Sequence, residues 1–155
     1  VFGDPKVMAA FGEEPFGPAQ MEAWLQRRLG HWSRYGYGLF LLELKETGAA
    51  IGDCGLEHLE IEGEDVVELG YDIASRHWNR GLATEAARAV LDLALGELGL
   101  PEVVCMIRVG NQPSRRVAEK LGMAFRREVN HSGAGYWLFG TSPLAVEEPM
   151  TWPMR

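Results

Sequence analysis

Apolar positions along the chain switch between a helical and a strand period, and the switches mark out its elements. Residues 1–17 are punctuated by Gly3, Pro5, Gly12, Pro15 and Gly17, which leaves room for a short helix over 6–11. From Pro18 onward, Met21, Trp24, Leu25 and Leu29 recur at helical spacing, predicting a helix that Gly30 should stop. A loop over 31–38 then leads into an apolar strand over 39–44. The turn at 45–48 and a returning strand over 50–59 read as a hairpin. A polar turn over 60–65 precedes a strand over 66–73, so this half is an antiparallel meander.

After residue 73 the period changes. Leu82, Ala86, Ala87, Val90, Leu91, Ala94, Leu95 and Leu98 mark one face of a long amphipathic helix, ended by Gly99 and Pro101. A buried strand over 103–109, a shorter helix over 113–121 capped by Gly122, and strands over 125–130 and 136–139 follow. A Pro-broken tail closes the chain. Hairpins first and then strand–helix–strand–helix–strand give an α/β (α+β) class with a mixed, mostly antiparallel central sheet and flanking helices.

Composition narrows the class. The 155 residues suit a single domain over 1–155, and 46% hydrophobic with 24% charged residues can fill a core without disulfides or metals. A disordered tail, a collagen-like fibre and a disulfide miniprotein are excluded. Net charge is −7 and the basic residues form no dense cluster, the opposite of a general nucleic-acid binder. The acidic balance suits a cationic or amine-bearing partner, and equally serves solubility. Cys54 and Cys105 sit in apolar strand runs without a CxxC or metal-ligand spacing, and read as reduced core residues of a cytoplasmic protein. Apolar runs fall short of the roughly 20 residues that cross a bilayer. The start, Val1-Phe-Gly-Asp-Pro, lacks both a signal-peptide layout and an initiator methionine, so residues before Val1 are expected.

Chemistry concentrates in Val66-Val-Glu-Leu-Gly-Tyr-Asp-Ile73, Ala-Ser-Arg-His-Trp-Asn, and Arg80-Gly-Leu-Ala-Thr-Glu85. Here a strand runs through a loop into the long helix, and small residues let backbone approach a ligand. Free N–H groups and the helix dipole at that point form a site for an anion such as a pyrophosphate. A tight turn packing on the sheet uses the same residues, so this alone decides nothing.

The wording of the segment goes further. Arg80-Gly81-Leu82-Ala83-Thr84-Glu85-Ala86, with Trp78 upstream, resembles the acetyl-CoA-binding signature of the GNAT superfamily of N-acetyltransferases. Asn111-Gln-Pro-Ser114 and Val117-Ala-Glu-Lys-Leu-Gly-Met123 resemble its second motif, in the expected order. The Trp-x-Arg-Gly-x-Ala-Thr-Glu and Asn-x-x-Ser wording, the hairpin Ile51-Gly-Asp-Cys-Gly-Leu56 and the loop Tyr35-Gly-Tyr-Gly38 resemble the RimJ/RimL type, the ribosomal-protein N-terminal acetyltransferases. The resemblance spans 17–139. It implies a first strand and a first helix near whose end this chain starts, and a tyrosine acid in the second motif. The position equivalent to that tyrosine is Ala118.

The resemblance implies acetyl-CoA as cosubstrate, in a cleft where the strands over 66–73 and 103–109 splay. Backbone of Tyr71, Asp72 and Ile73 would pair with the pantetheine arm as an added strand would. Amides of Arg80, Gly81, Leu82, Ala83 and Thr84 would take the pyrophosphate, with the Arg80 side chain adding charge. Trp78 is expected to pack. Asn111 would hold the pantetheine amide or cap the following helix, and Ser114 would point at the thioester sulphur. No metal is expected.

Attack on a thioester needs a neutral amine, so a carboxylate or histidine must take its proton. Glu68, on the first cleft strand, is the leading candidate, with His58, His131 and Glu128 as rivals; His77 and Cys105 read as structural. Trp32, Tyr35 and Tyr37 would wall the acceptor groove with flat surfaces for an extended chain. The expected acceptor is a peptide or protein N-terminal α-amine, the alternatives being a small amine (antibiotic, polyamine, amino acid) or a non-catalytic acyl-CoA-binding module. Neither nucleic acid nor membrane is an expected partner. A homodimer through strand edges near the C-terminus is a candidate.

Overall fold

The computed structural model describes residues 1–141; the Pro-broken tail lies outside them. Helix α1 spans Pro5–Phe11, and α2 spans Pro18–Tyr35. Strands β1 (Leu39–Glu43), β2 (Ala50–Ile61) and β3 (Glu64–Ile73) follow, then α3 (Leu82–Asp92) and β4 (Val104–Arg108). Helix α4 (Gln112–Lys120) and strands β5 (Ala124–His131) and β6 (Ala134–Gly140) complete the described chain. The strands form one sheet in the order β1-β2-β3-β4-β6-β5. Every neighbouring pair is antiparallel except β3 with β4. The mixed, mostly antiparallel sheet expected from the sequence is therefore present.

Two boundaries differ from expectation. Gly30 does not stop α2, which runs on to Tyr35. A helical glycine costs only about 1 kcal/mol relative to alanine, and the extra turn places Trp32 so that its indole N–H donates to the Leu39 carbonyl at 3.0 Å. Gly36 is the real stop: its φ is +73° and its N–H bonds the Trp32 carbonyl. The polar turn between β2 and β3 shrinks to Glu62-Gly63, both at positive φ, and both strands extend into it.

The principal core lies between the sheet and α3 with α4. It is built from Cys54, Leu56, Leu69, Val90, Leu91, Cys105, Ile107, Ala118, Met123 and Phe139. Both cysteines are buried there as free thiols, and the Cys105 thiol donates to the Leu69 carbonyl at 3.3 Å. The predicted face of α3 is half right. Ala87, Val90, Leu91 and Ala94 are buried, whereas Leu95 and Leu98 are exposed. Their displacement follows from a π turn over Leu93–Glu97, with Leu98 N–H bonding the Leu93 carbonyl, which rotates the last residues off the apolar stripe. A smaller cluster of Ile61, Val104, Val129 and Leu138 fills the opposite face.

The feature that positions the site is the join between β3 and β4. They pair through a single rung, Glu68 opposite Val104, and then part. Beyond that rung, the two strands leave a gap in the middle of the sheet.

Candidate active site

A cleft of about 940 Å³ opens at the gap between β3 and β4. Its lining brings together Glu68, Tyr71, Asp72, Ile73, Arg80, Gly81, Leu82, Ala83, Thr84, Asn111 and Ser114. These came from three separate stretches of sequence. The sheet order explains the meeting: β3 and β4 are neighbours, so the loops leaving their C-terminal ends, and the helices α3 and α4 that follow, flank one crevice.

The loop before α3 is shaped by left-handed backbone. Asn79 has φ +59° and Gly81, the residue before the helix, has φ +74°. A Cβ built on Gly81 would meet nothing within 4 Å, so the glycine is required by dihedral angle and not by crowding. No side chain caps this helix, and Glu85 N–H, bonding Gly81 O, makes the first intrahelical bond. The N–H groups of Leu82, Ala83 and Thr84 therefore face the cleft end of the helix dipole without helical partners. An open cradle of amides with a positive potential fits a pyrophosphate.

Neighbouring side chains brace this cradle. The Trp78 indole N–H donates to the Ile73 carbonyl at 2.7 Å, so that carbonyl is already used and Ile73 is tied to the loop. The Arg80 guanidinium lies 3.0 Å from His77 Nδ1, and Arg76 donates to His77 Nε2. Partial burial and the two flanking arginines hold the His77 imidazole below its ordinary pKa, in keeping with a structural role.

At the other lip, Asn111 accepts the Ser114 N–H at 3.2 Å and so caps α4. The Tyr71 hydroxyl donates to the Ser114 carbonyl at 2.9 Å, and the Ser114 hydroxyl donates to the Tyr71 oxygen at 3.3 Å. Burial pushes the Tyr71 phenol above its ordinary pKa, so it stays neutral. Ala118, fully buried, sits in the core beneath this pair.

Glu68 stands at the fork itself. Its carboxylate accepts the Met106 N–H at 3.3 Å across the gap to β4. Burial is the main cause that lifts its pKa to about 8; Glu57 and Asp72 push the same way, while the Met106 hydrogen bond and Arg28 oppose. A carboxyl titrating there is suited to accept a proton near neutral pH. Its rivals are elsewhere. His58 stacks on Tyr35 and contacts Asp65, and neither His58, His131 nor Glu128 lines the cleft.

Tyr35 and Tyr37 do not line it either, and Trp32 lines only the adjoining hollow that holds Asp53. Trp32 packs edge-on against Phe40, Tyr35 stacks on His58, and Tyr37 packs on the principal core. Phe2, Val7, Phe11, Trp24 and Arg28, from α1, α2 and the segment before them, also line the cleft. Sequence reading also passed over Asp53, Glu57 and Arg28. The strand register places Asp53 opposite Asp72 and Glu57 opposite Glu68, on the sheet face away from α3. Carboxylates at one spacing in two predicted neighbouring strands were the available signal.

Comparison with known proteins agrees with this geometry. A family model described as acetyltransferase (GNAT) domain matches residues 1–124. The uncharacterized protein YkkB of Bacillus subtilis is 37% identical over 148 residues, covering 96% of this chain and 81% of its own. The uncharacterized N-acetyltransferase p20 of Bacillus licheniformis is 27% identical over 128 residues, covering 82% of this chain and 70% of its own. Among solved structures, an acetyltransferase from Agrobacterium tumefaciens superposes with a TM-score of 0.77 at 28% identity, covering 91% of this chain and 80% of that one.

Proposed function

The chain belongs to the GNAT family of acetyl-CoA-dependent acetyltransferases, and from that premise we propose that its acceptor is the α-amine of a peptide or protein N-terminus. This is also the acceptor implied by the RimJ/RimL-like wording of its motifs. The observation that carries the reading is Glu68: a carboxyl raised to about 8, placed at the fork of the splayed strands. An α-amine has a pKa of about 7.7–8.0, against about 10.4 for lysine. Donor and acceptor of the proton are then nearly matched, which is where general base catalysis is most effective.

Acetyl-CoA, when bound, supplies an activated acyl carbon and a thiol leaving group. The chain's own residues do the rest. The amides of residues 82–84 and Arg80 hold the pyrophosphate end, and the unpaired edge of β3 aligns the pantetheine arm. Glu68 takes the proton of the incoming ammonium, and the Met106 N–H steadies its carboxylate. Unpaired strand N–H groups in the fork polarise the acyl oxygen. The Ser114 hydroxyl, which gives its one proton to the Tyr71 oxygen in the free protein, turns that proton toward the departing sulphur. Positioning of this kind contributes up to about 7–11 kcal/mol in favourable systems, so Ala118 in place of a tyrosine leaves the reaction accessible.

Peptides with free N-termini, incubated with the protein and labelled acetyl-CoA, test the acceptor. Label on the α-amine is expected. Label on polyamines or antibiotics with none on any peptide overturns the choice.

A further inference from the structure

On the sheet face opposite α3, the cleft that holds Glu57, Glu68 and Asp72 adjoins a second hollow of about 510 Å³ that holds Asp53, and Phe2, Trp24, Arg28 and Leu39 line both. Asp53 and Asp72 face each other across β2 and β3, as do Glu57 and Glu68, with Gly55 and Gly70 between the two pairs. Arg28 reaches down from α2, forms an ion pair with Glu57 and lies over the Trp24 ring. Four carboxylates thus share a single close guanidinium. Asp53 is the unexplained one. It is only 8% exposed, and its Oδ1 has no hydrogen-bond partner among the described residues. A buried carboxylate oxygen left bare costs free energy, and a native fold keeps one where something else completes it. Burial raises the pKa of both Asp53 and Asp72, and the charge of Asp72 raises that of Asp53 further, although Arg28 and the Val1 amino group pull both down.

We propose that the Asp53–Asp72 pair is a second acceptor subsite, which takes a cationic group carried by the same molecule whose amine is acetylated at Glu68. The inference rests on the reading of this cleft as the site of acetyl transfer. It defines the acceptor class as one with two positive charges. The two carboxylate pairs are four residues apart along β2, about 13 Å at ~3.3 Å per residue. A basic side chain in the first few residues of an extended peptide spans that distance from its own α-amine. Between the pairs, Gly70 adds no side chain to the cleft lining, so a chain can pass along β3, whereas Gly55 is packed against the backbone of Gly38 and Leu39. Arg28 Nε is also buried without a partner, and a peptide carbonyl beside the cationic group would give it an acceptor. A simple diamine offers none. Trp24 adds an aromatic face beside the carboxylates, favourable to a cation.

The test compares acceptors in pairs. Peptides Ala-Ala-Lys-Ala and Ala-Ala-norleucine-Ala, and a diamine with a monoamine of equal length, are assayed with wild-type protein and with Asp53→Asn and Asp72→Asn. The charged member of a pair is expected to have kcat/KM higher on the order of tenfold or more, the worth of one charge-assisted hydrogen bond. That ratio should fall toward one in Asp53→Asn, and because it is a ratio it is unaffected by the fraction of variant that folds. A wild-type ratio near one, or a ratio that survives both substitutions, overturns the subsite. Turnover of amines but of no peptide overturns the N-terminal acceptor alone, and the amine pair then decides the subsite. If no acceptor of either kind is turned over, both readings fail.

Discussion

The two sides of the cleft are made of different material. On the α3 side, the polar groups that border the cleft are mostly main chain: the amides of residues 82–84, the unpaired edge of β3, and a loop bent by Asn79 and Gly81. On the α2 side they are mostly charged side chains: Asp53, Glu57, Glu68 and Asp72 under Arg28. A main-chain site is set by backbone geometry and tolerates many side chains so long as the dihedrals hold. A side-chain site depends on charge identity and on exact register. The first suits a fixed cosubstrate, whereas the second is where an acceptor can be chosen. Substitutions on the two sides should therefore fail differently, one in cosubstrate affinity and the other in turnover.

The largest effect is expected on the acidic side. Glu68→Gln should lower kcat by roughly 10²–10⁴-fold and leave the calorimetric affinity for acetyl-CoA unchanged. The deficit should be widest near pH 8, where about half of Glu68 is ionised and about half of the α-amine still carries its proton. An unaltered pH–rate profile would move the base elsewhere. The same substitution has a stability readout. The folded-state pKa of Glu68 lies above its ordinary value, so the folded protein holds a proton that the unfolded chain releases. The resulting stability is present below about pH 4.5 and is lost as pH rises to about 8. The melting temperature of the free protein should fall over that window, and less steeply in Glu68→Gln.

Gly81 gives the matching effect on the main-chain side. Gly81→Ala forces a Cβ onto a backbone at φ +74°, at a cost of about 1–2 kcal/mol and with no collision, since the space is open. Gly81→Asp adds a negative charge beside the pyrophosphate position. Acetyl-CoA affinity should drop about tenfold in the first and on the order of 10²-fold in the second, with the circular dichroism of both unchanged. Wild-type affinity in a folded Gly81→Asp protein would remove the phosphate cradle from this loop.

The same contrast governs how much could be read in advance. The meander, the long helix and the second motif were legible because each is a local pattern. So was the main-chain half of the cleft, since the residues around Gly81 are contiguous and their conformation is encoded in neighbours. The acidic half was hidden. Asp53 and Glu57 lie on β2, Glu68 and Asp72 on β3 and Arg28 on α2, so they meet only once the register is fixed. Glu68 was picked out one residue at a time, without its partners. The positions of Trp32 and Tyr35 have a related cause. Reading Gly30 as a stop put Trp32 and Tyr35 in a loop, where aromatics suggest a binding surface. Continued as helix, they turn onto Phe40 and His58 instead. The π turn at Leu93–Glu97 leaves no composition signal, because it changes the phase of a helix without changing its residues.

The smallest effect separates a side-chain contribution within the main-chain half. Tyr71 and Ser114 exchange two hydrogen bonds across the cleft: the phenol donates to the Ser114 carbonyl, and the serine hydroxyl donates to the phenol oxygen. Tyr71→Phe keeps the ring that packs on the principal core and deletes only the hydroxyl. Loss of one neutral hydrogen bond is worth about 0.5–1.5 kcal/mol, so kcat should fall by roughly two- to tenfold, with the KM for acetyl-CoA little changed. If the tyrosine acts by orienting the Ser114 hydroxyl, Ser114→Ala should cost about the same, and the double variant no more than either single one. A purely structural tyrosine behaves otherwise. It would lower the melting temperature in both backgrounds and leave kcat per folded molecule alone. Additive losses in kcat would give Tyr71 a contact with the reacting atoms that does not pass through Ser114. The sub-additive result is the one expected here, because the Tyr71 oxygen holds the serine hydroxyl near the cleft until its one proton turns toward sulphur, so losing either partner loses the same interaction.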